Sequence, residues 1–145
     1  MTTTATTGTT EHKPYVKWLV LSLAGLTNAI AAAARYNCRA LQIFTKNSRT
    51  WKEKLPSKQE TNRFKNARKK AGIRYIISHA SYLINMAADD PEKLSRSIEA
   101  LGCEMNRSAL LGVDYLVLHP GAYMKAGQSS GIQTLVNSLL KVFQS

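Results

Sequence analysis

Four strand–helix pairs in succession predict an α/β protein with a parallel sheet. Three observations carry this reading of the 145 residues. Short apolar runs alternate with helix-like stretches, helix-start and helix-stop residues fall between them, and the last apolar run is continuous rather than alternating. The first run is VKWLVLS from Val16, followed by the Ala-rich LTNAIAAAARYN. The second, Ala40 to Phe44, leads through the polar TKNSRTWKEKLP to a helix opened by Ser57. Ser57 and Glu60 stand at capping-box spacing, where hydroxyl and carboxylate satisfy the free amides of the first turn. Phe64, Ala67 and Ala71 follow at helical spacing, and Gly72 is placed to end the helix.

The third strand is expected over Arg74 to Ser78. Asp90 then caps a helix with Pro91 at its first position, where a missing amide costs nothing. Leu94, Ile98, Leu101 and Met105 keep a 4-3-4 spacing, which predicts one buried stripe, and Gly112 closes the helix. Asp114 to Leu118 is a continuous apolar run, as expected of a strand buried on both faces. A last helix is expected over about Ile132 to Phe143.

Strands alternating with helices imply helical crossovers. Four such units make either a small open sheet or half of a (β/α)₈ TIM-type barrel, which needs about 250 residues when complete. In the barrel reading, residues 1–14 are a disordered Thr-rich tail with nothing to bury. Residues 15–145 are then the N-terminal half of the barrel. Its first and last strands would be open edges, through which copies of the chain can self-associate.

Composition excludes several classes. An apolar fraction of 44% is too high for a disordered chain, and no apolar run reaches the roughly 20 residues of a membrane span. Cys38 and Cys103 are too few for a disulfide framework, lack zinc-knuckle spacing, and are expected to be small buried thiols. The first residues have neither the basic start nor the apolar stretch of a secretory signal, so an intracellular location is expected. The charge is localised. Residues 46–74 hold eleven Lys and Arg against two acids, and so nine of the chain's eleven net positive charges. This basic segment surrounds Asn47, Arg49 and Trp51, a combination suited to phosphate contacts and stacking on a nucleic acid.

Ligands of a parallel α/β sheet bind at the carboxyl ends of the strands. The first strand ends at Ser22, and the second runs into TKNSRTW. Of the three histidines, His79 and His119 each directly follow a strand, the third and the fourth. That spacing makes them neighbours on one rim, open to metal binding, to general acid–base work or to a structural role. No carboxylate follows a strand end closely. Asp89 and Asp90 better serve the helix cap.

The segments LQIFTKNSRTW, ISHASYLINMA and LVLHPGAY resemble motifs of the endonuclease IV family, the apurinic/apyrimidinic endonucleases of base-excision repair. The resemblance runs from about Val16 to the last residue and keeps the family's order. It implies a (β/α)₈ barrel with a trinuclear Zn²⁺ site on its C-terminal rim, acting on double-stranded DNA 5′ of an abasic site. By position in the motifs, His79 and His119 resemble ligands of one zinc ion. Tyr82 resembles a residue inserted into DNA at the lesion, and Asn47, Arg49 and Thr50 fall in the DNA-recognition loop. The resemblance implies no catalytic side chain beyond the metal ligands. Departures accompany it. The family's Glu, Asp and His ligands on strands five to eight have no counterpart in the 145 residues, so at most a partial zinc site is expected and activity alone is not. Val20 stands where members usually carry His, and Gly25 alone represents a glycine pair. Two other readings are a non-catalytic DNA-binding remnant and a sugar-isomerase-like metal barrel, the latter disfavoured by the basic segment. The endonuclease reading implies a nuclear or cytoplasmic, DNA-associated protein.

Overall fold

The structure, a computed structural model, describes residues 18–21, 25–52 and 54–144. The expected tail and Ser22 lie outside them. The elements are β1 (Trp18–Leu21), α1 (Leu26–Arg35), β2 (Ala40–Ile43), α2 (Lys58–Ala71), β3 (Tyr75–His79), α3 (Pro91–Leu111), β4 (Tyr115–Val117) and α4 (Gln128–Phe143). The four strands form one sheet in the order β1-β2-β3-β4, every neighbouring pair parallel. This is the expected run of four βα units, the architecture of a partial TIM barrel.

Local signals set the helices. The Ser57 side chain accepts the Glu60 amide at 3.2 Å while Glu60 accepts the Ser57 amide at 2.8 Å, completing the capping box. Asp90 accepts the amides of Glu92 and Lys93, both at 3.0 Å, ahead of Pro91. Gly72 and Gly112 end α2 and α3 in left-handed conformation, φ 65° and 69°, which a Cβ would disfavour. α4 begins four residues earlier than expected, at Gln128. β3 is shifted by one residue, so His79 is its last member rather than the residue after it.

Alternation along the strands divides the core. Leu41 and Ile43 of β2 and Ile76 of β3 face the helices and are buried with Ile30, Ala33, Phe64 and Leu111. A second cluster joins Ala80, Ile84, Met86, Leu101 and Val142, with Leu116, Leu135 and Leu139 packed against it. The opposite, concave face carries Tyr75, Ile77, His79, Tyr115 and Val117. Tyr115 and Val117 are 61% and 42% exposed, so β4 is not buried on both faces as its apolar run suggests. Among the described residues, no strand stands across the concave face to cover them.

The buried stripe of α3 also differs from expectation. Leu101 is fully buried, whereas Leu94, Ile98 and Met105 are half-buried. The deeply buried positions are instead Ser97, Ala100, Leu101, Glu104, Arg107, Ser108 and Leu111. The face is therefore partly polar. Its charges are acceptable because Arg107 and Glu104 pair at 3.2 Å. Cys38 is buried, as expected, and Cys103 is half-buried.

Candidate functional site

The carboxyl ends of β2, β3 and β4 carry the candidate site. The Ala80 amide donates to the Val117 carbonyl at 2.9 Å, extending the β3–β4 ladder to the rim. His79 at the end of β3 and His119 two residues past β4 are thereby brought together, their ring centroids 5.0 Å apart. Both continue the concave-face alternation of their strands. Phe44 and Tyr82 flank His79 at 5.2 and 5.4 Å. Tyr82 is 61% exposed and packs at a tilt on Phe44, ring centroids 5.3 Å apart, so an aromatic side chain stands out from the rim beside the two imidazoles.

The pair suits a shared metal ion. With zinc–nitrogen bonds of about 2.0–2.1 Å and tetrahedral angles, two imidazole centroids lie roughly 5 Å apart. His79 is buried, and its Nδ1 lies 2.8 Å from the Ala80 carbonyl. An Nδ1–H donated to that carbonyl leaves Nε2 as the lone-pair nitrogen, the usual preparation of a ligating histidine. Among the described residues, no group of three or more His, Cys, Asp or Glu is gathered in metal-binding proximity. The pair could offer two ligands to a metal ion and no more.

Next to the histidines lies a cleft of about 1080 Å³, lined by the segment after β2, the start of α1 and α2. Lys46, Arg49, Lys52, Lys54 and Arg63 surround it. Among the described residues one carboxylate, Glu60, reaches the same cleft. The Ser57 backbone and hydroxyl bonds hold its carboxyl below the ordinary range, so it stays ionised and engaged in the cap. Cations outnumber anions among the described residues that line the cleft, which is electropositive.

The loop over the cleft is built, not slack. Ser48 is buried, and its carbonyl accepts the Ser81 hydroxyl at 2.8 Å. The Asn47 side chain accepts the Arg49 amide at 2.9 Å, and Lys46 donates to the Thr50 carbonyl at 2.8 Å. From below, Glu104 accepts the Thr45 hydroxyl at 2.9 Å, and Arg107 donates to the Lys54 carbonyl at 3.1 Å. Both ends of the loop thus rest on one ion pair of α3. Asn47 and Arg49 are exposed on the cleft, and Thr50, half-buried, uses its hydroxyl to accept the Lys52 amide.

Trp51 departs from expectation. Arg96 lies 4.7 Å over its ring, and the ring packs against the second core cluster. It anchors the loop rather than offering a face to a base. Arg68 is likewise withdrawn from the basic surface. It pairs with Asp114 at 2.8 Å and donates to the Ile73, Gly112 and Arg74 carbonyls. Sequence reasoning did not single out Glu104, Arg107 or Asn85. The signal for the first two was an i,i+3 charge pair on the turns that also carry Leu101 and Leu111.

The chain belongs to the xylose isomerase-like TIM-barrel family, whose sequence profile matches residues 30–144. Within that family its motifs and structure correspond to the N-terminal part of endonuclease IV proteins. It is 42% identical over 120 residues to a probable endonuclease 4 of Halorhodospira halophila, covering 83% of this chain and 40% of that one. A probable endonuclease 4 of Halothermothrix orenii is 39% identical over 119 residues, covering 82% and 43%. The crystal structure of endonuclease IV from Thermus thermophilus superposes with a TM-score of 0.76 at 31% identity, over 88% of this chain and 45% of that one. The chain therefore spans less than half the length of the relatives it matches. No helix among the described residues is long and apolar enough to cross a membrane.

Proposed function

We propose that the chain forms the DNA-reading half of a zinc-dependent apurinic/apyrimidinic endonuclease of base-excision repair. The observation that carries this reading is the juxtaposition of the His79–His119 pair, the protruding Tyr82 and the electropositive cleft on one rim. The cleft would take the phosphate backbone through Arg49 and its neighbouring lysines. Asn47 orders the loop that presents Arg49, and Thr50 shapes the loop's exit. Tyr82 would enter the stack where a base is missing, since an abasic position is the cheapest to unstack.

His79 and His119 would hold one zinc ion through neutral imidazoles. Bound there, zinc would activate water and offset charge on the scissile phosphate. Catalytic zinc needs about three protein ligands, so hydrolysis 5′ of the lesion would require at least one ligand beyond the pair on the described rim. A DNA-binding role without cleavage is the second reading for the 145 residues taken alone, favoured by that two-ligand geometry. A neutral sugar gives no reason for five cations around the cleft.

Fluorescence anisotropy with a labelled duplex tests the proposal. An abasic duplex should bind more tightly than the intact duplex, and Tyr82→Ala should erase the difference while leaving intact-duplex binding unchanged. Equal affinity of the wild-type chain for the two duplexes would remove the support for lesion recognition.

A further inference from the structure

We propose that Asn85 is a positioning residue that fixes His119 against His79. This inference rests on the proposed metal role for its consequence, but on geometry alone for its cause. The segment leaving β3 carries Asn85, and the segment leaving β4 carries His119, Pro120, Gly121 and Ala122. The Asn85 amide nitrogen donates to the Ala122 carbonyl at 2.9 Å, and its oxygen accepts the Ala122 amide at 3.0 Å. One side-chain amide thus occupies both hydrogen-bonding groups of a single residue, as a neighbouring strand would. The same oxygen accepts the Ala87 amide at 3.1 Å, which locks the side chain to its own turn. Both exit segments are held by one rigid amide.

Gly121 shows how closely the two segments meet. Its φ is 101°, a conformation that side chains rarely adopt, and a Cβ there would collide with the Asn85 carboxamide and crowd the Met86 amide. The glycine is thus required by the contact with Asn85, and the two form one latch. The latch lies three residues past His119 and six past His79. β4 is only three residues long, and its last ladder position pairs Val117 with His79, so the ladder stops short of His119. The last backbone bond between the strands, from the Ala80 amide to the Val117 carbonyl, also ends two residues before His119, so the latch is the next tie between the two segments on its far side. Outer contacts that orient metal-binding histidines typically change metal affinity 10–100-fold.

A second tie between the same segments serves as a control. Asp89 accepts the Lys125 amide at 3.3 Å, further along the loop from His119. A general loosening of the loop would follow from either tie, whereas displacement of His119 should follow only from the latch.

The test uses the 145-residue chain in two measurements. Ring-proton NOEs between His79 and His119, read without metal, should be present in the wild type and in Asp89→Ala. They should be lost in Asn85→Ala and in Gly121→Ala. Zinc titrated as the metal alone should bind at least tenfold more weakly to Asn85→Ala and Gly121→Ala than to Asp89→Ala. Retention of the NOE and of wild-type zinc affinity in Asn85→Ala would overturn the positioning role. If the NOEs behave as expected and zinc binds none of the variants, the metal reading fails and the latch stands.

Discussion

At the scale of single residues, the Glu104–Arg107 pair carries the largest expected effects. Both side chains are about 1% exposed, and between them they hold Thr45 and Lys54, the two ends of the cleft loop. Removing one partner leaves the other charged in a dry interior, which costs about 3–5 kcal/mol. Arg107→Met should therefore lower the urea midpoint sharply. Replacing both charges, in Glu104→Leu with Arg107→Met, should cost less than the sum of the single changes, because no orphan charge remains. Additive losses would show that the pair contributes no mutual stabilisation. The exposed caps make a gentler, pH-dependent contribution. A hydrogen bond from the Lys93 amide holds the Asp90 carboxyl below its usual range, and the Ser57 bonds do the same for Glu60. A lowered folded value means that the stabilisation is complete above the ordinary carboxyl pKa of about 4 and is lost as pH falls through the lowered value. Asp90→Asn keeps an accepting oxygen without a proton to gain. Its Tm should fall less steeply than the wild-type Tm below about pH 4, while the two curves run parallel near neutrality.

Elements differ in how much of them is legible in the sequence. α2 and α3 are legible almost to the residue because their ends are chemical and local: Ser57 with Glu60, Asp90 with Pro91, and the left-handed Gly72 and Gly112. α4 starts four residues before the expected Ile132, because no side chain caps its first turn. The loop between β2 and α2 was legible in charge but not in conformation. Nothing adjacent in sequence shows that Arg96 covers Trp51, or that Ser81 ties down Ser48. That conformation leads to a prediction about DNA. Arg49 faces the cleft, whereas Lys141 lies in the last turn of α4, outside the basic segment. Arg49→Ala should weaken duplex binding and reduce the slope of log affinity against log salt by about one. Lys141→Ala should leave that slope unchanged. Equal effects in a salt titration would place the DNA elsewhere.

Among the described residues, the molecule presents an uncovered concave face and two sheet edges, β1 and β4, each paired on one side. On α4 the apolar residues take two faces. Leu135, Leu139 and Val142 pack inward, while Ile132, Val136, Leu140 and Phe143 are exposed at helical spacing. Exposed apolar stripes beside an open strand edge favour association. The 145-residue chain is therefore expected to self-associate at micromolar concentration. Val136→Lys with Leu140→Lys should shift its sedimentation velocity profile toward monomer. An unchanged profile would assign association to the strand edges or show that the wild type is already monomeric. The same scale governs catalysis. With two imidazoles as the available ligands on the described rim, an abasic-duplex nicking assay with added zinc should show no cleavage. EDTA-sensitive nicking by the purified chain would mean that these βα units suffice.

Order along the chain is enough to define four βα units, the helix caps, the basic segment and the two rim histidines. Each of these depends on residues a few positions apart, or on a periodicity that the backbone imposes. Folding in three dimensions settled the rest. It set the 5.0 Å spacing of His79 and His119, forty residues apart in the chain. It buried Glu104 with Arg107, diverted Trp51 and Arg68 from the surface they were expected to serve, and left Tyr115 and Val117 exposed on β4. Those outcomes depend on which distant side chain fills the neighbouring space, and close packing fixes that for the assembled chain rather than for any segment of it.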